Sequence, residues 1–273
     1  MRRRAYVAAL YVALVVGAAL TLLPLLWMVS VSLMPAGEST AWPPRLWPGR
    51  VTLAHYRTLF TRINLGRAAA NSAGLSFVVS LIALALNSMA GYAFAKLSFR
   101  GRDTLFRFLS AALVIPGQVC MLPLFLMLKQ LGCINSYLGV IIPGMASIFG
   151  IFLIRQYALS IPDTLLDAAR VDGAGEFRIY WSLVLPACRP ILVTLAIFTF
   201  LGTWNDFLWP LIILTDDSMY TLPVALANLL GEHVQDTELM MAGAVLTVVP
   251  VIILFVALQR YYVEGILSGS LKE

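Results

Sequence analysis

Six apolar runs of membrane-crossing length occupy most of this chain and restrict the folds open to it. A helix needs about 20 mainly apolar residues to cross the hydrocarbon core of a bilayer. Within a membrane, a helix can satisfy all of its own backbone polar groups. The pattern therefore predicts an all-α membrane protein with six transmembrane helices. The runs extend over residues 6–33, 68–94, 105–128, 138–158, 191–214 and 239–262.

The composition agrees with a protein whose solvent is the bilayer. Of the 273 residues, 60% are hydrophobic and 12% are charged, and the mean hydropathy is +0.86. One soluble core of this length could not bury so much apolar surface. The longest hydrophilic insert, residues 34–67, is too short for a soluble domain, so we expect residues 1–273 to form a single transmembrane domain.

The charged residues predict the orientation of the chain. The first run follows three arginines but is longer than the apolar region of a cleavable signal peptide, about 7 to 15 residues, so we interpret it as a retained helix. Six crossings put both termini on one side. With the termini in the cytoplasm, most basic residues lie inside, as the positive-inside rule prefers, although five arginines of residues 34–67 lie outside. The net charge of +5 follows from this orientation and does not indicate nucleic-acid binding.

Prolines occur both within the apolar runs and, together with tryptophans, in the loop after the first run. Trp42 and Trp47 alternate with prolines in the first outer loop, which favours a segment along the outer membrane interface over direct contact with a partner. Prolines and glycines also interrupt the third to sixth runs. Such breaks are tolerated where neighbouring helices or a cavity satisfy the freed backbone groups, so the pattern favours a packed bundle around a path. The three cysteines are interpreted as small apolar filler.

A polar loop of helix length, residues 160–190, separates the fourth and fifth runs. We predict a first helix from Pro162 to about Val171, because proline suits a helix start. Gly173 is predicted to end it in the left-handed conformation. A second helix from about Gly175 should place Phe177, Tyr180, Trp181 and Val184 on one apolar face, and Pro186 should end it. An ordinary amphipathic connector is the alternative.

The 160–190 loop resembles the EAA loop of the membrane subunits of bacterial ATP-binding-cassette (ABC) importers, the segment that docks onto the ATPase. Asp167 stands where the family usually has glutamate, which shortens the carboxylate by one methylene. Further segments resemble the carbohydrate-uptake branch, represented by the second permease of maltose and glycerol-phosphate importers. The matching loop residues are Asp167, Ala168, Ala169, Arg170, Asp172, Gly173, Ala174, Leu185 and Pro186, and the further segments are residues 115–118, 122–124, 150–156, 203–207 and 262–269.

This resemblance implies a type I ABC importer permease fold in the bacterial cytoplasmic (inner) membrane. It implies that the slim Ala168 and Ala169 enter a groove of the ATPase, that Asp167 and Arg170 offer charge for orientation, and that residues 263–273 form a cytoplasmic tail. A flexible strip containing Gly265, Ser268 and Gly269 would contact the ATPase. The implied partners are a second homologous permease, an ATPase homodimer that carries ATP and magnesium, and an extracytoplasmic solute-binding protein.

Motifs for catalysis are not found in the sequence. None of the three lysines follows the glycines of a phosphate-binding loop, so we expect ATP to be hydrolysed by another chain. His55 and His233 lie in separate loops without a metal-binding arrangement, so we expect no metal, no bound cofactor and no catalytic residue. An ion-coupled secondary transporter is the main alternative, but such proteins usually show intramembrane acids and repeat symmetry. A membrane enzyme is a weaker third possibility.

Asp206 is the charged residue deepest within an apolar run. Together with Trp204 and Asn205 it is a candidate for the substrate path, because carboxylate and amide groups pair with sugar hydroxyls and a Trp204 or Trp209 ring offers an apolar face. The alternative is that Asn205 and Asp206 tie a broken helix to its neighbours near Gly202 and Pro210. The sequence slightly favours this second, structural interpretation.

Overall fold

The computed structural model describes residues 2–43, 45–62, 64–232 and 236–270, and in these ranges the regular structure is helical. Contacts between residues divide the chain into two compact units. The first comprises Met1–Gly66 and Ala225–Val251, and the second comprises Arg67–Val224 and Ile252–Glu273. The two units are described in turn.

The first unit is built on a long apolar helix and the folded loop that follows it. Helix α1 (Arg2–Ser32) is followed by a loop that the Glu38 carboxylate holds together. Glu38 Oε1 accepts hydrogen bonds from Arg45 Nη1 at 3.0 Å and from Gly49 N at 2.9 Å. Trp42 and Trp47 remain exposed. The loop also contains α2 (Ala54–Arg62), a helix that was not predicted from the sequence.

His55 lies in α2 and is buried in the first unit. Its Nε2 lies 2.9 Å from the Met34 carbonyl oxygen, and its Nδ1 lies 3.9 Å from Asp236. Within the described ranges, no group of three or more His, Cys, Asp or Glu residues could hold a metal ion. His55 therefore has a structural partner, and the other histidine, His233, lies outside the described residues.

The second unit contains most of the remaining helices. Their bounds are α3 (Leu65–Lys96), α4 (Arg102–Ala112), α5 (Met121–Gln130), α6 (Tyr137–Gly144), α7 (Ile148–Ala158), α8 (Asp163–Val171), α9 (Glu176–Ile179), α10 (Leu185–Ala187), α11 (Arg189–Trp204) and α12 (Leu208–Ile213). Two further helices, α13 (Leu222–Glu232) and α14 (Thr237–Ser270), contribute residues to both units.

The predicted crossings correspond to four straight spans and two bent pairs. Ala9–Ser32, Leu65–Lys96, Tyr137–Ala158 and Thr237–Ala257 are long and apolar enough to cross a membrane. The third run is broken between α4 and α5 with a 97° bend, and the helical segments on either side of Cys188 meet at 79°. Counting each bent pair as one span gives up to six by length and composition, although Glu176–Ala187 of the second pair belongs to the 160–190 loop. The fifth run also differs from the prediction, because α11 ends at Trp204 and α12 begins afresh at Leu208.

Close approach of α3 and α7 organises the core beneath the 160–190 loop. A Cβ atom on Gly91 of α3 would lie 2.6 Å from Ile154 Cγ2 of α7, so the absence of a side chain at this position lets the helices touch. Within a bilayer, close van der Waals packing of the side chains around this contact holds the helices together. The buried cluster contains Tyr92, Ala95, Ile154, Ala158, Ile161, Leu166, Ile179, Tyr180, Val184, Cys188, Ile191 and Leu195.

Helix α14 continues beyond its membrane-crossing part. We expected a flexible strip at Gly265, Ser268 and Gly269, but the backbone is helical through Ser270. Each residue added to an existing helix gains a hydrogen bond without a new nucleation cost, which favours such continuation.

Candidate functional site

The first helix of the 160–190 loop begins one residue later than predicted. Pro162 has extended backbone angles, φ −62° and ψ 133°, and precedes α8 rather than opening it. Asp163 in the first turn complements the helix dipole. Its carboxylate also accepts a 2.6 Å hydrogen bond from Lys96 Nζ, which lowers the pKa of Asp163. The start of α8 is therefore fixed to the end of α3.

Helix α8 ends as predicted at Val171, in a turn that requires glycine. Gly173 has φ +81°, and Gly173 N and Ala174 N donate to the carbonyl oxygens of Arg170 and Ala169 at 3.0 and 2.9 Å. This pair of bonds is the Schellman arrangement, with glycine at its left-handed position. A Cβ on Gly173 would meet no atom within 4 Å, so the requirement is conformational and not steric.

The second half of the loop is a helix interrupted by a π turn. This π turn was not predicted from the sequence. Helix α9 passes into a π-helical segment, Tyr180–Val184, and then into α10. The predicted apolar face is divided between the core and the surface. Tyr180 and Val184 are buried with Ile179, whereas Phe177 and Trp181 are 72% and 61% exposed. Pro186 lies inside α10 and does not end the helix before it.

Arg170 joins the two halves of the loop. Its Nη1 donates to Asp167 Oδ1 at 2.7 Å, and its Nε donates to Glu176 Oε1 at 2.8 Å. Hydrogen bonds to these two carboxylates raise the pKa of Arg170, so the guanidinium keeps its charge. The Asp167 and Arg170 charges, which we expected to point toward a partner, thus bind one another within α8, and the bond from Arg170 to Glu176 joins the two sides of the Gly173 turn.

Three side chains of α3 contact the 160–190 loop at three separate places. Ser88 Oγ lies 2.7 Å from Tyr180 Oη, and Tyr92 Oη donates to Glu176 Oε2 at 2.5 Å. Lys96 Nζ donates to the Ile161 carbonyl as well as to Asp163, both at 2.6 Å. We did not identify these residues from the sequence, although polar side chains spaced by four at the end of an apolar helix are a visible signal.

The exposed surface of the loop is compact and contains a groove. Val171 at the end of α8 is 88% exposed, and Ala168 and Asp172 are also exposed. Leu185 packs against the buried cluster, while Pro186 is exposed. The groove has a volume of about 240 Å³ and is lined by Ala169, Asp172, Ala174, Arg178, Ile179, Ser182 and Leu183.

The broken fifth run gives Asn205 and Asp206 local structural partners. Asn205 Nδ2 donates to the Leu201 carbonyl at 2.9 Å, at the end of α11. Asp206 Oδ1 accepts a long 3.4 Å bond from Trp209 N in the first turn of α12. Trp204 is 3% exposed, and Trp209 is buried with its Nε1 donating to the Gly139 carbonyl at 3.0 Å. Within this chain, neither indole ring is open to a solute.

Residues 83–267, which include the whole 160–190 loop, match the family described as "Binding-protein-dependent transport system inner membrane component". The chain belongs to this family. The arabinooligosaccharides transport system permease protein AraQ of Halalkalibacterium halodurans is 39% identical over 226 residues, which are 82% of this chain and 81% of that protein. The trehalose transport system permease protein SugB of Mycobacterium tuberculosis is 35% identical over 277 residues, 99% of this chain and 98% of that one.

A solved structure confirms the fold of this inner membrane component. A chain from a bacterial ABC transporter involved in alginate import superposes with a TM-score of 0.83, at 24% identity, covering 95% of this chain and 97% of that chain. The predicted resemblance and the helical importer-permease fold are therefore confirmed. Membership of the inner membrane component family also identifies the chain as a transport permease subunit, which removes the ion-coupled secondary transporter as the alternative.

Proposed function

We propose that this chain is the permease through which a binding-protein-dependent importer moves a sugar, or a related polyol or sugar phosphate, into the cell. The observation that carries the proposal is the rigid 160–190 loop in a chain of this family. Relatives named for arabinooligosaccharide and trehalose transport support the solute class. On this proposal, the chain works beside a second homologous permease and receives the solute from an extracytoplasmic binding protein.

The 160–190 loop is proposed as the docking site for an ATPase homodimer that binds ATP and magnesium. Its internal hydrogen bonds and its slim exposed tip at Ala168 suit a preformed shape that enters a groove of another protein. Closure of the ATPase would move the loop as a rigid body and open the permease alternately to each side. Both termini then lie in the cytoplasm, and the end of α14, with Gly265, Ser268 and Gly269, is proposed to contact the ATPase.

Reconstitution of the full importer in liposomes tests this function. We expect uptake of radiolabelled arabinotriose, trehalose or glycerol 3-phosphate that requires the binding protein and ATP on the ATPase side. A protonophore should leave the rate unchanged, because ATP supplies the free energy. Uptake driven by an ion gradient without ATP would contradict the proposal, as would ATP-driven uptake restricted to amino acids or metal ions.

Replacements at Asp206 separate a solute contact from a helix cap. Asparagine caps helices as well as aspartate, whereas loss of the capping oxygen typically costs about 0.5 to 2 kcal/mol. We therefore expect Asp206→Asn to keep normal expression and thermal stability, and Asp206→Ala to lower both. Uptake by Asp206→Asn then shows whether the carboxylate also contacts the solute. A raised half-saturation concentration at normal expression would show that the carboxylate contacts the solute, whereas unchanged kinetics would leave it as a cap.

A further inference from the structure

We propose that Ser88, Tyr92 and Lys96 make α3 the lever of this permease, so that α3 and the 160–190 loop move as one rigid body. The three residues are spaced at i, i+4 and i+8, which places them in one row along a helix. This inference rests on the proposed coupling of the loop to an ATPase. It assigns positioning roles to three side chains outside the loop.

Each of the three residues holds a different part of the loop. Lys96 binds the segment that enters α8, through Ile161 O and Asp163 Oδ1. Tyr92 binds Glu176 at the start of α9, and Ser88 binds Tyr180 at the start of the π turn. Because the contacts lie on both sides of the Gly173 turn, neither helix of the loop can shift along α3 without breaking one of them.

The α3 side of each contact is sheltered from water, whereas the carboxylates of Asp163 and Glu176 reach the surface. The Lys96 side chain is 4% exposed although it carries a charge, and Tyr92 and Tyr180 are 4% and 5% exposed. The Tyr92 and Tyr180 rings also pack together with their centroids 5.8 Å apart. Hydrogen bonds that involve a charged group are stronger than those between neutral pairs.

The covalent connection from the loop to α11 has a different geometry. At Cys188 the helical segment Glu176–Ala187 meets Arg189–Trp204 at 79°. A displacement along the axis of the Glu176–Ala187 segment is therefore nearly perpendicular to the axis of α11. Helix α3 receives the same displacement through three side-chain contacts in a row, so its movement follows that of the loop directly. The first half of α11 is joined to the loop differently, since Ile191 and Leu195 pack in the same buried cluster as Tyr180.

Spin-label distances in the reconstituted importer test the rigid body without knowledge of the solute. The native cysteines are replaced, and labels are placed at Val171 in the loop, at Phe77 on α3 and at Gly202 on α11. Val171 and Phe77 are exposed, and a Cβ at Gly202 meets no atom within 4 Å. Between the nucleotide-free and the ATP–vanadate states, the Val171–Phe77 distance should stay constant, and the Val171–Gly202 distance measures how far α11 follows the loop. A change in the Val171–Phe77 distance beyond the width of its nucleotide-free distribution would overturn the proposal.

Tyr92→Phe supplies the functional arm of the test, because it removes the hydroxyl and keeps the ring. We expect solute transported per ATP hydrolysed to fall about tenfold, the effect of losing one hydrogen bond to a charged group. The Val171–Phe77 distance distribution should broaden in the same variant. Tyr137→Phe is the matched control, since Tyr137 Oη donates to Asn71 Oδ1 at 2.9 Å near the opposite end of α3. It should leave the transport-to-ATP ratio unchanged.

The outcomes separate this inference from the proposed function. If Tyr92→Phe and Tyr137→Phe lower the transport-to-ATP ratio equally, or if neither does, the lever is wrong although the importer still works. If the wild-type complex hydrolyses ATP but imports none of the three probe solutes, the proposed solute is wrong, and the spin-label distances still decide the lever.

Discussion

Gly173→Val is expected to lower ATP-driven uptake about tenfold or more while the permease still inserts in the membrane and pairs with its partner. Gly173 holds φ +81° at the turn between α8 and α9. The left-handed conformation costs roughly 1 to 2 kcal/mol for an ordinary L-residue and more for a β-branched one. The correctly shaped 160–190 loop should therefore become at least about tenfold less populated. The measurement is ATP hydrolysis stimulated by the loaded binding protein, together with uptake, in reconstituted complexes.

Gly175→Val is the matched control for this experiment. Gly175 lies two residues further along the same turn, has φ −72° and ψ 159°, and leaves open space where a Cβ would be. Valine readily adopts such extended backbone angles. We expect near-normal uptake from Gly175→Val, and Gly173→Asn should recover part of the activity because asparagine tolerates the left-handed region. Full activity of Gly173→Val would show that coupling to the ATPase does not depend on the left-handed turn at Gly173.

Gly91→Ala should lower the amount and the thermal stability of the folded permease. The added Cβ would lie 2.6 Å from Ile154 Cγ2, 2.7 Å from Ile154 Cβ and 3.1 Å from Arg155 N. A branched side chain and a backbone atom cannot move aside without shifting α7, and such overpacking typically costs about 1 to 3 kcal/mol. Thermal unfolding of the purified complex in lipid nanodiscs measures the effect.

Gly74→Ala provides the comparison on the same helix. No atom lies within 4 Å of a Cβ built at Gly74, and alanine favours helices more than glycine does. We expect Gly74→Ala to match or slightly exceed the wild-type melting temperature. If the two alanine variants melted at the same temperature, close contact of α3 and α7 would not be a source of stability.

The features that the sequence predicted well are those with local causes. The end of α8 and the left-handed Gly173 depend on a few neighbouring residues, and both are confirmed. The six crossings follow from hydrocarbon thickness, which sets a length that can be counted in any sequence. Such signals need no knowledge of which helices become neighbours.

The features that the sequence missed depend on tertiary packing. Of the predicted apolar face, Tyr180 and Val184 are buried, but Phe177 and Trp181 are exposed. An ideal helical period also does not predict the π turn at Tyr180–Val184. The α3 contacts of Tyr92 and Lys96 join residues 84 and 67 positions apart. Pairing over such distances is invisible to a periodicity argument, because many polar residues could serve equally well.

The distribution of buried polar side chains along α3 has a consequence for biosynthesis. No residue in the most apolar part of helix α1 is buried within the chain, so that part needs no later segment of the chain to cover it. Ser72, Asn87 and Ser88 of α3 are buried, and their partners Leu222, Ser147 and Tyr180 follow them by 150, 60 and 92 residues. These α3 side chains can form their hydrogen bonds only after those later segments have left the ribosome. Synthesis paused before residue 147 should therefore leave a membrane-inserted α3 that is still open to proteases and chaperones.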